Sequence, residues 1–218
     1  MTGDLLVVTA VDLEARALQP ALPSATVAAV GVGPAAAAAG TARLLALAEA
    51  VGRPYRAVVS AGVGGGFAGR AEVGATVLAS YSVAADLGAE SPEGFIPLDV
   101  LGFGPTTAAT DPALLADLRS RLPAAVVGTV LTVATVTGTA ESAHALAVRH
   151  PEAVAEAMEG YGVACAAVGA GVPFLEIRAI SNSIGPRDRA AWRMPDALAA
   201  LADAAAALAG AVAALPGR

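Results

Sequence analysis

The feature that most constrains this chain is an alternation. Short runs of Val, Leu and Ile are separated by long alanine-rich runs, and glycine or proline marks most of the joins. Leu5 to Ala10 and Val27 to Val30 read as strands buried on both faces, and Ala35 to Ala50 reads as a helix after the turn Gly31-Val32-Gly33-Pro34. Ala57 to Ala61 returns as a strand leading into the cluster Gly62-Val63-Gly64-Gly65-Gly66, expected as a strand-end loop. Val73 to Val83 is strand material, Asp86 to Pro105 an irregular Gly/Pro-rich segment, Pro112 to Leu122 a helix, Val126 to Thr137 a strand run and Ala140 to His150 a helix. Pro151 is placed to open a further helix through about Ala170, and Phe174 to Ile180 reads as a buried strand. A polar loop from Ser181 to Pro195 and a C-terminal helix from Ala197 to Leu215 close the chain. Strands alternating with helices predict an α/β fold: a central mixed sheet covered on both faces, with ligands at the carboxyl ends of the strands. With 218 residues the expectation is a single domain over 1–218.

Composition removes several classes of function. The chain is 56% hydrophobic and 15% charged, enough for a core and too little charge for disorder. Its net charge of -6 gives no basic footprint for nucleic acid or an anionic membrane. The C-terminal apolar run carries Asp203 and few large side chains, so it reads as a packed helix rather than a span. MTGDLLVVTA has Asp4 and no basic run, so no secretory leader is expected and the location is expected to be cytoplasmic. Cys165 is the only cysteine and His144 and His150 the only histidines, so no metal site is expected. All 13 basic residues are arginine, which removes Schiff-base, P-loop and kinase lysine chemistry.

Carboxylates, hydroxyls, one amide and bare backbone remain. Gly31-Val32-Gly33-Pro34-Ala35-Ala36 fits a permissive dinucleotide fingerprint, which keeps an NAD-dependent oxidoreductase open, but the same glycines suit a tight turn where a helix packs close to a sheet. Glu14, just after the first strand, is a strand-end carboxylate or a helix-start acid. Met158-Glu159 sits in what reads as an alanine-rich helix, where Glu159 is a solvated face residue or a site carboxylate. Asn182, the only asparagine, can read a heterocycle edge that shows both a donor and an acceptor, or close an Asx turn.

Together these positions resemble the nucleoside phosphorylase and nucleosidase superfamily, and within it the purine nucleosidases related to methylthioadenosine/S-adenosylhomocysteine nucleosidase. The resemblance runs through Glu14, the turn and helix from Gly31 to Ala39, Ser60-Ala61-Gly62-Val63-Gly64-Gly65, Met158-Glu159, and Val172 to Asn182. Asp86 to Pro92, Leu98 to Gly104 and Asn182 to Trp192 point to a menaquinone-pathway branch that releases hypoxanthine from a nucleoside bearing a benzoate.

The resemblance implies a three-layer αβα phosphorylase/hydrolase-like fold, N-glycoside hydrolysis, no cofactor, a small-molecule nucleoside as partner, and a homodimer or larger homo-oligomer. It implies Glu14 as general base toward water and Glu159 holding the ribose hydroxyls beneath Met158, with Gly62, Val63, Gly64 and Val136 around the nucleoside. Adenine-releasing members carry aspartate where this chain has Asn182, and an amide donor suits a 6-oxopurine, which presents acceptors at N7 and O6. Arg187 and Arg189 are candidates for the benzoate, or surface partners of Asp188 and Asp196, and Trp192 and Phe95 could face an aromatic group or pack. Adenine-releasing hydrolysis and phosphorolysis are the nearest alternatives. The glycine loop has no arginine before Arg70, which leans toward water, while Arg16 beside Glu14 leaves phosphate open. A purine-nucleoside binding protein without catalysis is the non-enzyme alternative.

Overall fold

The computed structural model of the protein describes residues 5–212, so the expectations resting on Asp4 and on the chain beyond 212 lie outside the described residues. Strand β1 (Leu5–Thr9), helix α1 (Asp12–Leu18), β2 (Thr26–Ala29) and α2 (Pro34–Ala50) follow the predicted rhythm. Then come β3 (Ala57–Gly66), β4 (Thr76–Ala84), a hairpin of β5 (Gly88–Ser91) and β6 (Gly94–Pro97), β7 (Thr107–Ala109) and α3 (Pro112–Arg121). The chain continues through β8 (Val126–Thr132), α4 (Ala140–Arg149), β9 (Ala153–Ala157), α5 (Gly160–Gly169), β10 (Phe174–Ser183) and α6 (Met194–Val212).

The sheet runs β10-β4-β8-β9-β3-β1-β2, with β7 on the edge of β4. Because β10 also pairs with β3, five of these strands close into a ring while β1 and β2 extend flat from it. Parallel pairs dominate, with β4 antiparallel to β10 and β9 antiparallel to β3. Side chains alternate along the strands, so each element feeds two cores. Leu5 and Val7 of β1, with Leu175 and Ile177 of β10, pack under α1, α3 and α6, while Leu6, Val8 and Phe174 pack under α2 and α5. The result is the expected three layers, a mixed sheet with helices on both faces. Helix α6 is long and apolar enough to cross a membrane by length and composition alone, but its Ala197, Leu201, Ala204, Ala205 and Leu208 are buried in the first of these cores.

Four expectations are corrected. No helix runs from Pro151 to Ala170: residues 153–157 form β9, and α5 begins only at Gly160. The alanines here serve packing rather than helix propensity, since Ala155 and Ala157 cluster with Ala79, Val77, Val130 and Ile180 where only small side chains let the ring close. Gly62 to Gly66 is not a loop but the continuation of β3, paired with β10 across a register shift at Ser181. Asp86 to Pro105 contains the β5–β6 hairpin. Ser181 to Ser183 belongs to β10, so Asn182 stands on a strand rather than in an Asx turn. At Gly31 and Gly33 φ is 104° and 91°, a region open to glycine, which accounts for the tight entry into α2.

Candidate active site

The strand ends surround a cavity of about 250 Å³. Glu14 follows β1 into it, buried at 4% exposure. Its Oε2 accepts the backbone N–H groups of Ala10 at 3.0 Å and Val11 at 3.3 Å, and its Oε1 accepts that of Val63 at 2.9 Å. Three fixed donors therefore set the orientation of this carboxylate before any ligand arrives. The apposition requires bare backbone at Gly62, where a Cβ would lie 2.7 Å from Glu14 Oε1 and 2.9 Å from Arg178 Nη1. Gly62→Ala is expected to shift Glu14 by a fraction of an ångström and cut kcat/KM by about 10²-fold, and to lower the melting temperature by several degrees because overpacking a buried site costs about 1–3 kcal/mol, measured by steady-state kinetics and calorimetry.

Glu159 caps the N-terminus of α5, where the helix dipole favours a carboxylate. Its Oε1 accepts the Gly33 N–H at 3.3 Å and its Oε2 accepts Arg178 Nη1 at 3.2 Å. The glycine turn read as a possible nucleotide fingerprint thus spends a backbone donor on a carboxylate of this site.

Arg178 is 1% exposed and is the hub beneath the cavity: Nε donates to Glu176 Oε1 at 2.8 Å, Nη1 to Glu159, and Nη2 to Ser60 Oγ at 3.0 Å. Burial pulls its guanidinium down, but Glu176, Glu159 and Glu14 outweigh burial and hold it above the ordinary arginine range. Glu176 is wholly buried, and Ser82 donates to its other oxygen. Burial pushes Glu176 up, and Arg178 and Ser82 pull back only in part. Neither Glu176 nor Glu156, a third carboxylate on the cavity wall, was singled out from sequence. The available signal was a charged pair two residues apart in an apolar strand, which places both on one face.

At the opposite wall, the Ser183 carbonyl faces the Asn182 amide at 3.0 Å, and a carbonyl can only accept, so that side is the NH₂. Ser181 Oγ donates to Asn182 Oδ1 at 2.8 Å. These two bonds use the amide oxygen and one N–H, which leaves one amide hydrogen over on a side chain that lines the cavity.

Met158, Val63, Gly64, Val136 and Arg187 line the same cavity, with Trp192. Gly62 lies behind Glu14 rather than on the wall, and Arg189 is not on it either. Arg187 and Arg189 both stand over the Trp192 ring, at 6.0 and 5.8 Å from its centroid. Phe95 is in the β5–β6 hairpin under Arg149, away from the cavity. Arg16 is exposed, and Arg70 is engaged by the carbonyls of His150 and Ala153 and by the Phe67 ring. No cluster of His, Cys, Asp and Glu able to hold a metal occurs among the described residues.

The alternating fold and the strand-end carboxylates define a class. The family signature of the phosphorylase superfamily matches residues 23–215, and the chain belongs to that superfamily. Its curated relatives narrow the class to N-glycosyl hydrolases. It is 52% identical to the futalosine hydrolase of Streptomyces coelicolor, over 90% of this chain and 91% of that protein. It is 39% identical to the futalosine hydrolase of Thermus thermophilus, over 71% and 70%. In three dimensions it is similar to the 5′-methylthioadenosine/S-adenosylhomocysteine nucleosidase of Colwellia psychrerythraea in complex with adenine, with a TM-score of 0.82, 21% identity, and 97% and 96% of the two chains covered.

Proposed function

We propose that this protein hydrolyses the N-glycosidic bond of futalosine, releasing hypoxanthine and dehypoxanthine futalosine in menaquinone biosynthesis. The observation that carries the reading is the placement of a spare Asn182 amide hydrogen on the cavity where Glu14 and Glu159 converge. As the C–N bond stretches, positive charge develops on the sugar and negative charge on the base. The buried carboxylates stabilise the first, and Asn182 donates to N7 or O6 of the second. Glu14 takes a proton from the attacking water, and Glu159 holds the ribose hydroxyls beneath Met158. Neither forms a covalent intermediate.

Water is favoured over phosphate because Arg178, beneath the cavity, is already bound by Glu159 and Glu176. Arg187, stacked on Trp192 at the rim, is the partner for the benzoate; Arg189 would steady Trp192 from outside the cavity. The reading includes one nucleosidase domain over 1–218, no cofactor, a homo-oligomer and a cytoplasmic location.

The test is incubation with futalosine, inosine and methylthioadenosine separately, with and without phosphate, following free base by chromatography. Hypoxanthine from futalosine, independent of phosphate, is the expected result; adenine from methylthioadenosine or phosphate-dependent release from inosine would replace the reading. Asn182→Asp puts an acceptor where a 6-oxopurine also shows acceptors. It is expected to lower hypoxanthine release about 10²-fold and to raise release from a 6-aminopurine nucleoside, read in the same chromatographic assay.

A further inference from the structure

Asn182 donates a hydrogen bond but is no acid, so the departing base still needs a proton, and another polar group on the cavity has no part in the mechanism so far. Glu156, on β9, is 5% exposed and lines the cavity with Thr137. Thr137 sits in the β8–α4 connection and meets Glu156 twice: its backbone N–H donates to Oε1 at 2.8 Å, and its hydroxyl contacts Oε2. Across the sheet Glu156 pairs with Gly65, and Gly65 pairs with Asn182. The two polar side chains therefore flank a bare glycine, with their backbones roughly 10 Å apart at two strand spacings. A Cβ on Gly65 would come within 2.9 Å of Ile184 and 3.4 Å of Asn182 Nδ2, so bare backbone at this position is what lets Ile184 and the Asn182 amide pack against β3.

We propose that Glu156, acting through the Thr137 hydroxyl, supplies the proton taken up by the leaving purine, at the edge opposite the one Asn182 reads. This rests on the nucleosidase reading above. Since Oε1 accepts the Thr137 N–H, Oε2 is the oxygen that carries a proton, and it faces a hydroxyl that can accept and donate at once. The Oε2–H bond breaks as the proton passes to Thr137 Oγ, and the Thr137 proton passes to a ring nitrogen that receives the electron pair of the broken glycosidic bond. Glu156 ends as a carboxylate and the base leaves neutral. Glu14 has meanwhile taken one proton from water, so charge and protons balance, and solvent restores both groups for the next turnover.

The surroundings of Glu156 suit a protonated carboxyl. Burial pushes it above the usual carboxylate range, the two Thr137 bonds pull back, and Asp86 in the β4–β5 connection adds to the upward shift. Its strand partners Gly65 and Leu131 carry no charge, and the other charged groups on the cavity are Glu14, Glu159 and Arg187.

The experiment is the pH profile of kcat/KM for futalosine in the wild type, Glu156→Gln, Thr137→Val and Thr137→Ser. The wild type is expected to lose activity on the alkaline side as Glu156 ionises. Glu156→Gln is expected to run about 10²-fold slower at neutrality with that alkaline limb gone. Thr137→Val, which removes the hydroxyl but keeps the shape, is expected to lose a similar factor, and Thr137→Ser to stay within about threefold of wild type. A slow Glu156→Gln that keeps the alkaline limb, or Val and Ser variants of equal rate, would overturn the relay. Hypoxanthine binding by each variant checks that the site has formed, and if Glu156→Gln does not fold, the Val and Ser pair decides. A wild type that releases no hypoxanthine from futalosine would remove the nucleosidase reading and the relay with it.

Discussion

Glu14→Gln is expected to slow hypoxanthine release by about 10³-fold while leaving substrate affinity within a few fold, because a general base contributes on that order to the chemical step alone. The substitution is nearly isosteric, and the residues expected to hold base and ribose, Asn182 and Glu159, hang on other elements. It is more than the loss of a base. Glu14 accepts backbone N–H groups on both carboxylate oxygens, so the amide of glutamine must turn its NH₂ toward Val63 or toward Ala10 and Val11, donor against donor. Single-turnover release separates the step from binding, and calorimetric titration with hypoxanthine gives the affinity. A variant that turns over at the wild-type rate would remove Glu14 as the base. One that loses affinity and rate together would make it a binding group.

How much of this was legible in the sequence depends on what each residue had to do. The β1, α2, α3, α4 and β10 segments were readable because periodicity and breakers agree there: the Leu5 to Thr9 run is apolar throughout, and Pro34 and Pro112 stand in the first helical turns. Glu14, Glu159 and Asn182 were found by their motifs and lie on one cavity. The β9 segment was missed because three of its five residues, AVAEA, are alanine, the strongest helix former, and only the slot between β8 and β3 makes them a strand. With β9 went Glu156, since only the strand pairing of β9 brings it to the cavity beside Thr137. Glu176 and Arg178 were visible as charges in an apolar run, but their meaning came from contacts far apart in sequence, to Ser60, Ser82 and Glu159. Gly160 belongs with them: a Cβ there would run into the Glu176 carboxylate, a constraint that exists only once β10 and α5 are side by side.

Arg178→Met carries the largest expected cost in stability. Methionine keeps the unbranched stem and removes the one guanidinium that bonds Glu176, Glu159 and Ser60, so two carboxylates stay buried without their cation. Removing one partner of a buried pair costs about 3–5 kcal/mol, which for a domain of this size lowers Tm by about 10 °C. The sign of the pH dependence follows from the directions of the shifts. Arg178 is raised, so its contribution is present at every pH below the ordinary arginine value and does not change across the working range. Glu176 is raised by burial, and losing Arg178 raises it further, so in the variant the folded state is favoured while Glu176 is protonated and weakens as pH rises through its folded value. The Tm deficit relative to wild type is therefore expected to widen from pH 5 to pH 8. Adding Glu176→Gln to Arg178→Met removes the stranded charge and should recover part of the loss and flatten its pH dependence, whereas Glu176→Gln alone leaves Arg178 still paired with Glu159. Thermal melts of the two single variants and the double across that range make the cycle. A deficit that is constant with pH, or a double variant no better than Arg178→Met, would mean that Arg178 acts by filling space rather than by neutralising the carboxylates beneath the cavity.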